Sequence, residues 1–334
     1  MKDHLGRDID YLRISVTDRC NLRCLYCMPA EGVPWRPHDE MLRIEEIALI
    51  ARVAAAEGIT KVRLTGGEPL VKKGIVGLIA DIKAAGIQDI SLTTNGLMLP
   101  RMAADLKAAG LTRVNISLDT LDPDEFHRIT RLGHVEDVLE AIDAALEYGF
   151  DPVKINAVAV RSLNQDFEGF AKMTLEKPLH VRFIEYMPVG TSSGVDGAGW
   201  SAKDTIPSAE LRDIISDRAE KEGLGRLEPV AKGDGPSGGG PAKYWRFPGA
   251  KGTVGFITAM SNHFCAQCNR LRLTADGKIR PCLFSDEEID VKAAVRGPNP
   301  EQAVRDALYA ALCVKPDEHH HREGTDRKMS QIGG

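Results

Sequence analysis

The sequence predicts an α/β fold in which six parallel strands form a partial (β/α)6 TIM-like barrel that stays laterally open. Short strands and amphipathic helices alternate regularly up to about residue 188, glycines such as Gly110 and Gly149 end the helices, and the alternation then stops. Regular β-α alternation implies a parallel sheet with right-handed crossovers. Six strands are too few for the closed eight-stranded barrel. We therefore predict two regions, a barrel at 1–188 and a smaller α+β region at 189–334.

Each element follows from its local pattern. Strands are predicted where apolar residues alternate with polar ones, at 11–16, 61–65, 90–94, 113–118, 153–160 and 181–185. Helices are predicted where apolar residues recur every three or four positions, at 44–57, 75–85, 100–109, 135–148, 166–175 and, more polar, 208–222. The Gly-rich stretches 189–205 and 232–241 predict loops, and Asp276-Gly277 predicts the turn of a hairpin.

The alternation within the strands predicts a polar, cationic barrel lining. With helices on the apolar face, residues of the other parity point inward. Five cations have that parity: Arg13, Lys61, Arg63, Lys154 and Arg182. Buried cations without an anionic partner are costly, so this lining indicates a phosphate-bearing substrate.

Composition limits the classes of function. The 334 residues are 43% hydrophobic with a net charge of -5, and no basic block would recruit nucleic acid. The N-terminus has no signal-peptide core and no run is long enough for a membrane span, so we expect a cytoplasmic enzyme. A phosphate loop GxxxxGK[ST] is absent from the sequence, which disfavours a nucleotide-binding regulator. Cys313, on a helix, is predicted to be a buried apolar residue.

A first cysteine set follows the first strand. Cys20, Cys24 and Cys27 have the spacing C-x3-C-x2-C. Three cysteines on a 4Fe-4S cluster leave one iron open for a small molecule. Zinc usually takes paired C-x2-C hooks and a fourth ligand, and three cysteines cannot pair among themselves as disulfides. The spacing therefore favours an iron-sulfur cluster.

This set, with Tyr26 before its last cysteine, resembles the radical S-adenosylmethionine enzymes. The resemblance implies that the open iron binds S-adenosylmethionine and that its reductive cleavage gives a 5'-deoxyadenosyl radical. It also implies the same partial barrel. The segment LTGGEPL at 64–70 resembles the family segment whose backbone, at Gly67, receives the methionine end of the cofactor.

A second cysteine set lies in the last third of the chain. Cys265, Cys268 and Cys282 have the spacing C-x2-C-x13-C, and by spacing alone a zinc site completed by His263 is an equal alternative. The following strand carries Arg270 and Arg272 on one face beside the cysteines. A structural zinc site does not need these guanidinium groups, so we favour a second 4Fe-4S cluster.

Both sets, the CNRLRL segment and the terminal Ile332-Gly333-Gly334 together resemble the GTP-cyclising radical enzymes of molybdenum cofactor biosynthesis. The resemblance implies a second cluster that binds the guanine ring, with GTP between the two clusters. It implies hydrogen abstraction from C3' of GTP by the 5'-deoxyadenosyl radical and closure of a C3'–C8 bond. Reduction and protonation of the cyclised radical then give 3',8-cyclo-7,8-dihydro-GTP.

The same resemblance assigns site residues. GTP contacts are expected at Arg13, Lys61, Arg63, Thr94, Lys154, Arg182, Arg270 and Arg272. S-adenosylmethionine contacts are expected at Tyr26, Gly67, Ser117 and Met187. Catalytic roles are expected for Cys20, Cys24, Cys27, Arg270, Arg272 and a terminal tail, Gly333-Gly334, that reaches into the site.

The partners expected are GTP as substrate and an external electron donor of flavodoxin or ferredoxin type, with neither nucleic acid nor a membrane, in a monomer or homodimer. Two other classes stay open. One is a radical enzyme with an auxiliary cluster that modifies a peptide or RNA, and the other is a zinc-binding interaction module without catalysis.

Overall fold

The structure is a computed structural model, and it describes residues 1–34, 36–187, 200–231, 233–238, 240–318, 325 and 327–333. The strands are β1 Tyr11–Ser15, β2 Lys61–Thr65, β3 Asp89–Thr94, β4 Arg113–Ser117, β5 Val153–Ala159, β6 Leu179–Glu185, β7 Glu228–Pro229, β8 Lys243–Arg246, β9 Thr253–Ile257, β10 Arg270–Leu273, β11 Lys278–Arg280 and β12 Ile289–Asp290. The α-helices are α1 Ile44–Ala56, α2 Ile75–Ala84, α3 Leu99–Ala108, α4 Pro123–Thr130, α5 Val135–Glu147, α6 Phe167–Glu176, α7 Ser208–Lys221, α8 Val291–Val295, α9 Pro300–Cys313 and α10 Met329–Ile332. Single 3-10 turns lie at His38–Glu40, Pro69–Val71, Ala202–Asp204 and Cys265–Gln267.

Within the described residues all the strands join one open 12-stranded sheet, in the order β12-β11-β10-β1-β2-β3-β4-β5-β6-β9-β8-β7. Strands β1 to β6 are parallel, as the β-α alternation predicted. The α/β class and the open barrel are confirmed.

The C-terminal region adds one parallel strand to each edge of the predicted barrel. Strand β10 pairs with β1, and β9 pairs with β6. Strand β10 has four residues and β9 has five, and they lie among Cys-rich and Gly-rich segments. The polar helix α7 precedes β9, but β7 and β8 come between them and the described residues have no α-helix between β9 and β10, so periodicity alone did not place the two strands in the barrel sheet.

The helices cover the apolar face of the sheet. Leu12, Ile14, Val62 and Leu64, which alternate with Arg13 and Arg63, belong to one buried cluster with residues of α1, α2 and α9. The predicted bounds agree to within two residues for the barrel strands and helices. The polar parity therefore faces the barrel interior, as the sequence predicted.

The structure differs from the sequence predictions at two local features. Helix α4 was not predicted, although Asp122 caps it by accepting a hydrogen bond from the Glu125 amide at 2.7 Å and Pro123 occupies its first turn. Cys313 is exposed at the end of α9, so the prediction of a buried filler was wrong. The buried stripe of α9 uses residues such as Leu308 and Leu312 instead.

Among the described residues no helix has the length and apolarity needed to span a bilayer.

Candidate active site

The first cysteine set lies on the loop after β1, at the carboxyl edge of the parallel strands. The Cys27 amide donates to the Cys24 carbonyl at 3.0 Å, and the Leu22 amide lies 3.3 Å from Cys20 Sγ. Asn95, after β3, directs Nδ2 toward Cys20 Sγ at 3.7 Å. The loop is thus supported from the carboxyl end of β3, in the region where barrel ligands bind.

The buried thiols of this loop would be stable as thiolates only beside a bound cation. Burial, with the neighbouring thiols, raises the pKa of Cys24 well above its usual value and that of Cys27 to about 12. Without metal these groups are neutral thiols, and only a bound cation would keep them as thiolates. Among the described side chains, no three His, Cys, Asp or Glu residues converge on a single metal ion. Three cysteines suit a cubane with one open iron, because they bind different irons, whereas a structural zinc ion takes four ligands.

Tyr26 is fixed within this loop. Its hydroxyl donates to Asp119 Oδ2 at 2.6 Å, and its ring stacks on Trp200 with centroids 5.9 Å apart. Asp119 also accepts from the Val158 amide at 2.8 Å. Burial, followed by the charge of Asp119, raises the pKa of Tyr26 well above its usual value, so the ring stays neutral. Neither Asp119 nor Trp200 was predicted from sequence, since both lie far along the chain from Tyr26.

The glycines after β2 allow two backbones to approach closely. The Gly67 amide donates to the Thr17 carbonyl at 2.7 Å, and a Cβ at Gly67 would lie 2.3 Å from the Arg19 carbonyl oxygen. Only glycine fits at this contact. The segment therefore holds the start of the cysteine loop, and Gly67 remains a predicted contact to the methionine end of S-adenosylmethionine.

Glu68 links this segment to β3. Its carboxylate accepts hydrogen bonds from the Leu70 amide, the Asn95 amide and the Thr94 hydroxyl at 3.0, 2.7 and 2.8 Å. Burial raises its pKa to about 7 despite these donors. The Thr94 hydroxyl thus already donates to Glu68. Thr94 also lies on the same face of β3 as Ile90 and Leu92, which the helices cover. Its predicted contact to GTP remains a prediction.

The other predicted S-adenosylmethionine residues lie at the same edge of the barrel. Ser117 ends β4 and Met187 follows β6, and both are half-buried. The structure therefore brings the strand ends of Ser117 and Met187 to the mouth that carries the first cysteine set.

A row of guanidinium groups crosses the barrel interior. Strand register aligns Arg272 with Arg13 and Arg13 with Arg63. The three side chains are 7 to 9% exposed. Burial and then the charge of its two neighbours lower the pKa of Arg13 well below its usual value. Burial, then Arg270, lowers the pKa of Arg272 to about 10. Three cations lie side by side in a site that favours an anion.

The cationic lining continues on β5 and β6. Burial, then Arg182 and Arg113, lowers the pKa of Lys154 to about 6, and its Nζ donates to the Ser237 carbonyl at 2.6 Å. Arg182 donates to Asn115 Oδ1 at 2.7 Å. Its buried Nε, like that of Arg270, has no hydrogen-bond partner among the described residues. Buried donors of this kind indicate a ligand that accepts hydrogen bonds.

Two further cations already have carboxylate partners. Lys61 lies at the amino end of β2 and is paired with Asp10 at 2.8 Å. Arg113 on β4, which the sequence analysis did not single out, is paired with Asp89. Their charges are partly neutralised before any ligand binds.

The second cysteine set lies at the opposite, amino edge of the barrel. Cys265 and Cys268 precede β10, and Cys282 follows β11, which runs antiparallel to β10. Burial raises the pKa of the Cys268 thiol, but Lys315 and Arg270 outweigh it, so that the pKa lies below its usual value. His263 lies 3.4 Å from Glu318 in an ion-pair geometry, which gives it a partner other than the cysteines. A cationic surrounding favours the thiolate form, which binds the iron atoms of an iron-sulfur cluster.

The terminal tail enters the barrel between the two cysteine sets. Arg272 Nη1 donates to the Gly333 carbonyl at 2.7 Å. Gly333 has φ +72, and a Cβ there would lie 2.5 Å from Thr65 Cγ2. Burial raises the pKa of Cys27, and a backbone hydrogen bond from Ser330 in the tail partly opposes this rise. Gly334, also predicted to act in the site, lies outside the described residues.

The β1–β10 pairing sets the spacing of the two cysteine sets. One set follows β1 at its carboxyl end, and the other precedes β10 at its amino end. A five-residue strand is about 17 Å long. The arginine row and the Gly333 carbonyl lie along this length, so the interior between the sets is cationic and reached by the tail.

This fold and cysteine loop define a radical S-adenosylmethionine enzyme. The family model of the Radical SAM superfamily matches residues 14–174, and the model for Molybdenum Cofactor Synthesis C matches residues 179–321. The chain is 52% identical to GTP 3',8-cyclase of Pelotomaculum thermopropionicum and 50% identical to that of Moorella thermoacetica, covering 100% of each chain. The chain belongs to the GTP 3',8-cyclase family. Its cofactors include a 4Fe-4S cluster and S-adenosylmethionine.

Solved structures support the fold. SuiB from Streptococcus suis, bound to the precursor peptide SuiA, is similar with a TM-score of 0.63 and 15% identity, over 92% of this chain and 67% of SuiB. Native anSMEcpe with bound AdoMet is similar with a TM-score of 0.56 and 17% identity, over 97% and 93% of the two chains. At these identities the likeness concerns the fold alone.

Proposed function

We propose that this protein is a lyase that converts GTP to 3',8-cyclo-7,8-dihydro-GTP in molybdenum cofactor biosynthesis. The observation that supports it most is the buried cationic lining, with Arg13, Arg63, Lys154, Arg182 and Arg272 inside the barrel. The relatives that match over the full chain are named for the same reaction.

The lining favours a polyphosphate over a neutral or peptide substrate. Burial and then repulsion between neighbouring cations depress the pKa values of Arg13, Lys154 and Arg182. A triphosphate would relieve this repulsion with charge-assisted hydrogen bonds, and guanidinium groups can hold its oxygens in pairs. The binding free energy would be available to fix the ribose for reaction.

We assign the residues as follows. Cys20, Cys24 and Cys27 would hold the first cluster, and Tyr26, Gly67, Ser117 and Met187 would surround S-adenosylmethionine. Cys265, Cys268 and Cys282 would hold a second cluster that binds guanine. When bound, the first cluster would supply the electron for reductive cleavage of S-adenosylmethionine, the chemistry by which hydrogen would be removed from C3' of GTP.

The chain's own residues would position the substrate. Arg13, Arg63, Lys154 and Arg182, with Lys61 and Thr94, would bind the triphosphate and ribose. Arg270 and Arg272, with the Gly333-Gly334 tail, would order the nucleotide near the second site. Orientation of the ribose in the barrel interior would bring the C3' radical to C8 before it meets solvent.

The cellular setting is part of the proposal. All seven cysteines are free, as is usual in a reducing compartment, so we place the enzyme in the cytoplasm. We expect a flavodoxin- or ferredoxin-type donor, a monomer or homodimer, and a functional division between residues 1–188 and 189–334.

Anaerobic reconstitution tests the reaction. The protein is loaded with iron and sulfide, then supplied with S-adenosylmethionine, a chemical reductant and GTP. We expect methionine, 5'-deoxyadenosine and a nucleotide product of the same mass as GTP but with a changed ultraviolet spectrum. Turnover of a peptide or RNA instead of GTP would assign the chain to the alternative radical enzymes.

The low pKa of Lys154 predicts pH-dependent GTP binding. The free amine, with a pKa of about 6, is neutral near pH 8, and a bound phosphate would favour its charged form. GTP binding would then be coupled to the uptake of a proton by Lys154. The affinity for GTP should therefore rise as pH falls from about 9 to 7, by at most about tenfold per pH unit. Calorimetry in buffers of different ionisation enthalpy, without reductant, measures this uptake.

Lys154→Met should remove that proton uptake and weaken binding. Exposed Lys177, paired with Asp143, provides the matched control Lys177→Met, which should behave as wild type. The same proton uptake in Lys154→Met and wild type would contradict the assignment.

A further inference from the structure

Lys315 is a buried cation beside the second cysteine set. It follows α9 and is 2% exposed. Its Nζ lies 3.5 Å from Cys268 Sγ and donates to the carbonyls of Arg270 at 2.8 Å and Pro281 at 2.6 Å. An ammonium group has three N–H donors, and all three have a partner here. One side chain therefore ties the segment leaving Cys268 to the segment entering Cys282.

Arg7 holds the Lys315 segment from the N-terminal side. Its guanidinium donates to the carbonyls of Pro316 and Asp317 at 2.7 and 3.1 Å, and to the carbonyl of Cys265 at 3.0 Å. Buried Asp3 accepts from Arg7 Nε at 2.6 Å and fixes the guanidinium. Lys315 and Arg7 together thus contact the backbone or sulfur of the segments that carry all three cysteines.

These contacts are not explained by the binding of GTP. The Lys315 Nζ is directed to a sulfur and two carbonyls, and Arg7 lies before β1 with its guanidinium donors on backbone carbonyls and Asp3. A fixed positive charge beside a thiolate ligand stabilises a reduced, more negative iron-sulfur cluster and orients the ligand.

We infer that Lys315, supported by Arg7, is a positioning residue that sets the geometry and charge of the second cysteine site. This inference rests on the proposed second cluster. The ammonium acts through Cys268 and the Arg270 and Pro281 carbonyls, which use all three of its N–H donors. It fixes the strand start from which Arg270 and Arg272 project.

The test uses Lys315→Met in the full-length reconstituted enzyme, with Lys278→Met as the control. Lys278 lies on β11 and forms an exposed ion pair with Asp290 at 2.6 Å, so its loss removes a lysine from the same region without touching a cysteine segment. Iron per chain, the reduction midpoint of each cluster by electron paramagnetic resonance, and S-adenosylmethionine cleavage without GTP are measured.

We expect Lys315→Met to lose iron from the second site or to lower its midpoint. Cyclisation should fall about tenfold or more, the range for loss of a group that supports metal ligands. First-cluster iron and S-adenosylmethionine cleavage should stay within about twofold of wild type. Arg7→Gln should show the same selective change to a smaller degree, and Lys278→Met should match wild type.

Wild-type iron content and midpoints in Lys315→Met would overturn the inference. Loss of iron from both sites, or of soluble protein, in both Lys315→Met and Arg7→Gln would also overturn it, since the residues would then serve folding in general. A wild-type enzyme that binds iron only at Cys20, Cys24 and Cys27 would instead refute the proposed second cluster. The two failures are therefore distinguishable.

Discussion

Cys24→Ser is expected to reduce S-adenosylmethionine cleavage to the level of the protein-free reaction. Cys24 is the central cysteine of the first set, and burial with the charges of Cys27 and Asp119 raises its pKa. Only a strong metal bond makes a thiolate stable there, and a serine hydroxyl ionises far less readily. The site would be left with two thiolates, too few to hold a cubane in place. Methionine and 5'-deoxyadenosine are quantified by mass spectrometry with dithionite as reductant.

Exposed Cys313 on α9 supplies the matched control. Cys313→Ser removes one of the seven thiols without changing either cysteine set, and we expect wild-type iron content and cleavage. Cleavage by Cys24→Ser at the wild-type rate would show that the first set does not hold the catalytic cluster.

Arg272→Ala is expected to separate cleavage from cyclisation. Arg272 is 7% exposed, lies beside Arg13 in the strand register and donates to the Gly333 carbonyl at 2.7 Å. Its loss removes a preorganised charge from the substrate cavity and releases the tail. We expect a fall in cyclised product of about a hundredfold or more, comparable to loss of one preorganised donor in other enzymes. S-adenosylmethionine cleavage should be partly retained, because the first cysteine loop would lose only the backbone hydrogen bond from Ser330 to Cys27.

The ratio of 5'-deoxyadenosine to cyclised nucleotide measures this separation. In wild type the two are formed in step, whereas in Arg272→Ala cleavage should exceed cyclisation. The control is Arg226→Ala, which removes an exposed arginine paired with Asp217 and Glu220. Equal loss of both activities in Arg272→Ala would contradict the division of labour between the two sites.

Sequence patterns predicted features that depend on short-range order. Strand parity placed Arg13 and Arg63 on the interior face and put Arg270 and Arg272 on one face beside the cysteines, because a strand alternates its side chains whatever its neighbours are. Cysteine spacing predicted both sets for a similar reason, since each set depends mainly on residues close in sequence. The hairpin at Asp276-Gly277 also formed as predicted, with Arg272 opposite Arg280.

Contacts between distant segments could not be predicted in this way. The ion pair of Arg113 with Asp89 joins adjacent strands that are separated by a helix in sequence. Lys315 follows the end of α9, and its local sequence does not distinguish it from a surface lysine. Only the folded chain brings it to Cys268. Thr94 was matched by motif, but its hydroxyl binds Glu68, whose position depends on the glycine turn after β2. Which polar groups are buried, and which groups they bind, depends on the fold as a whole.

The pairing of β10 with β1 also constrains how the chain is made. During synthesis β1 leaves the ribosome first, yet its outer edge remains without a partner until residues 270–273 follow. At the other edge of the barrel, β6 likewise has no partner on its outer side until β9 has been synthesised. Open strand edges invite association between nascent chains. Neither matched family region completes the sheet alone, so translation of nearly the whole chain must precede a protected native state.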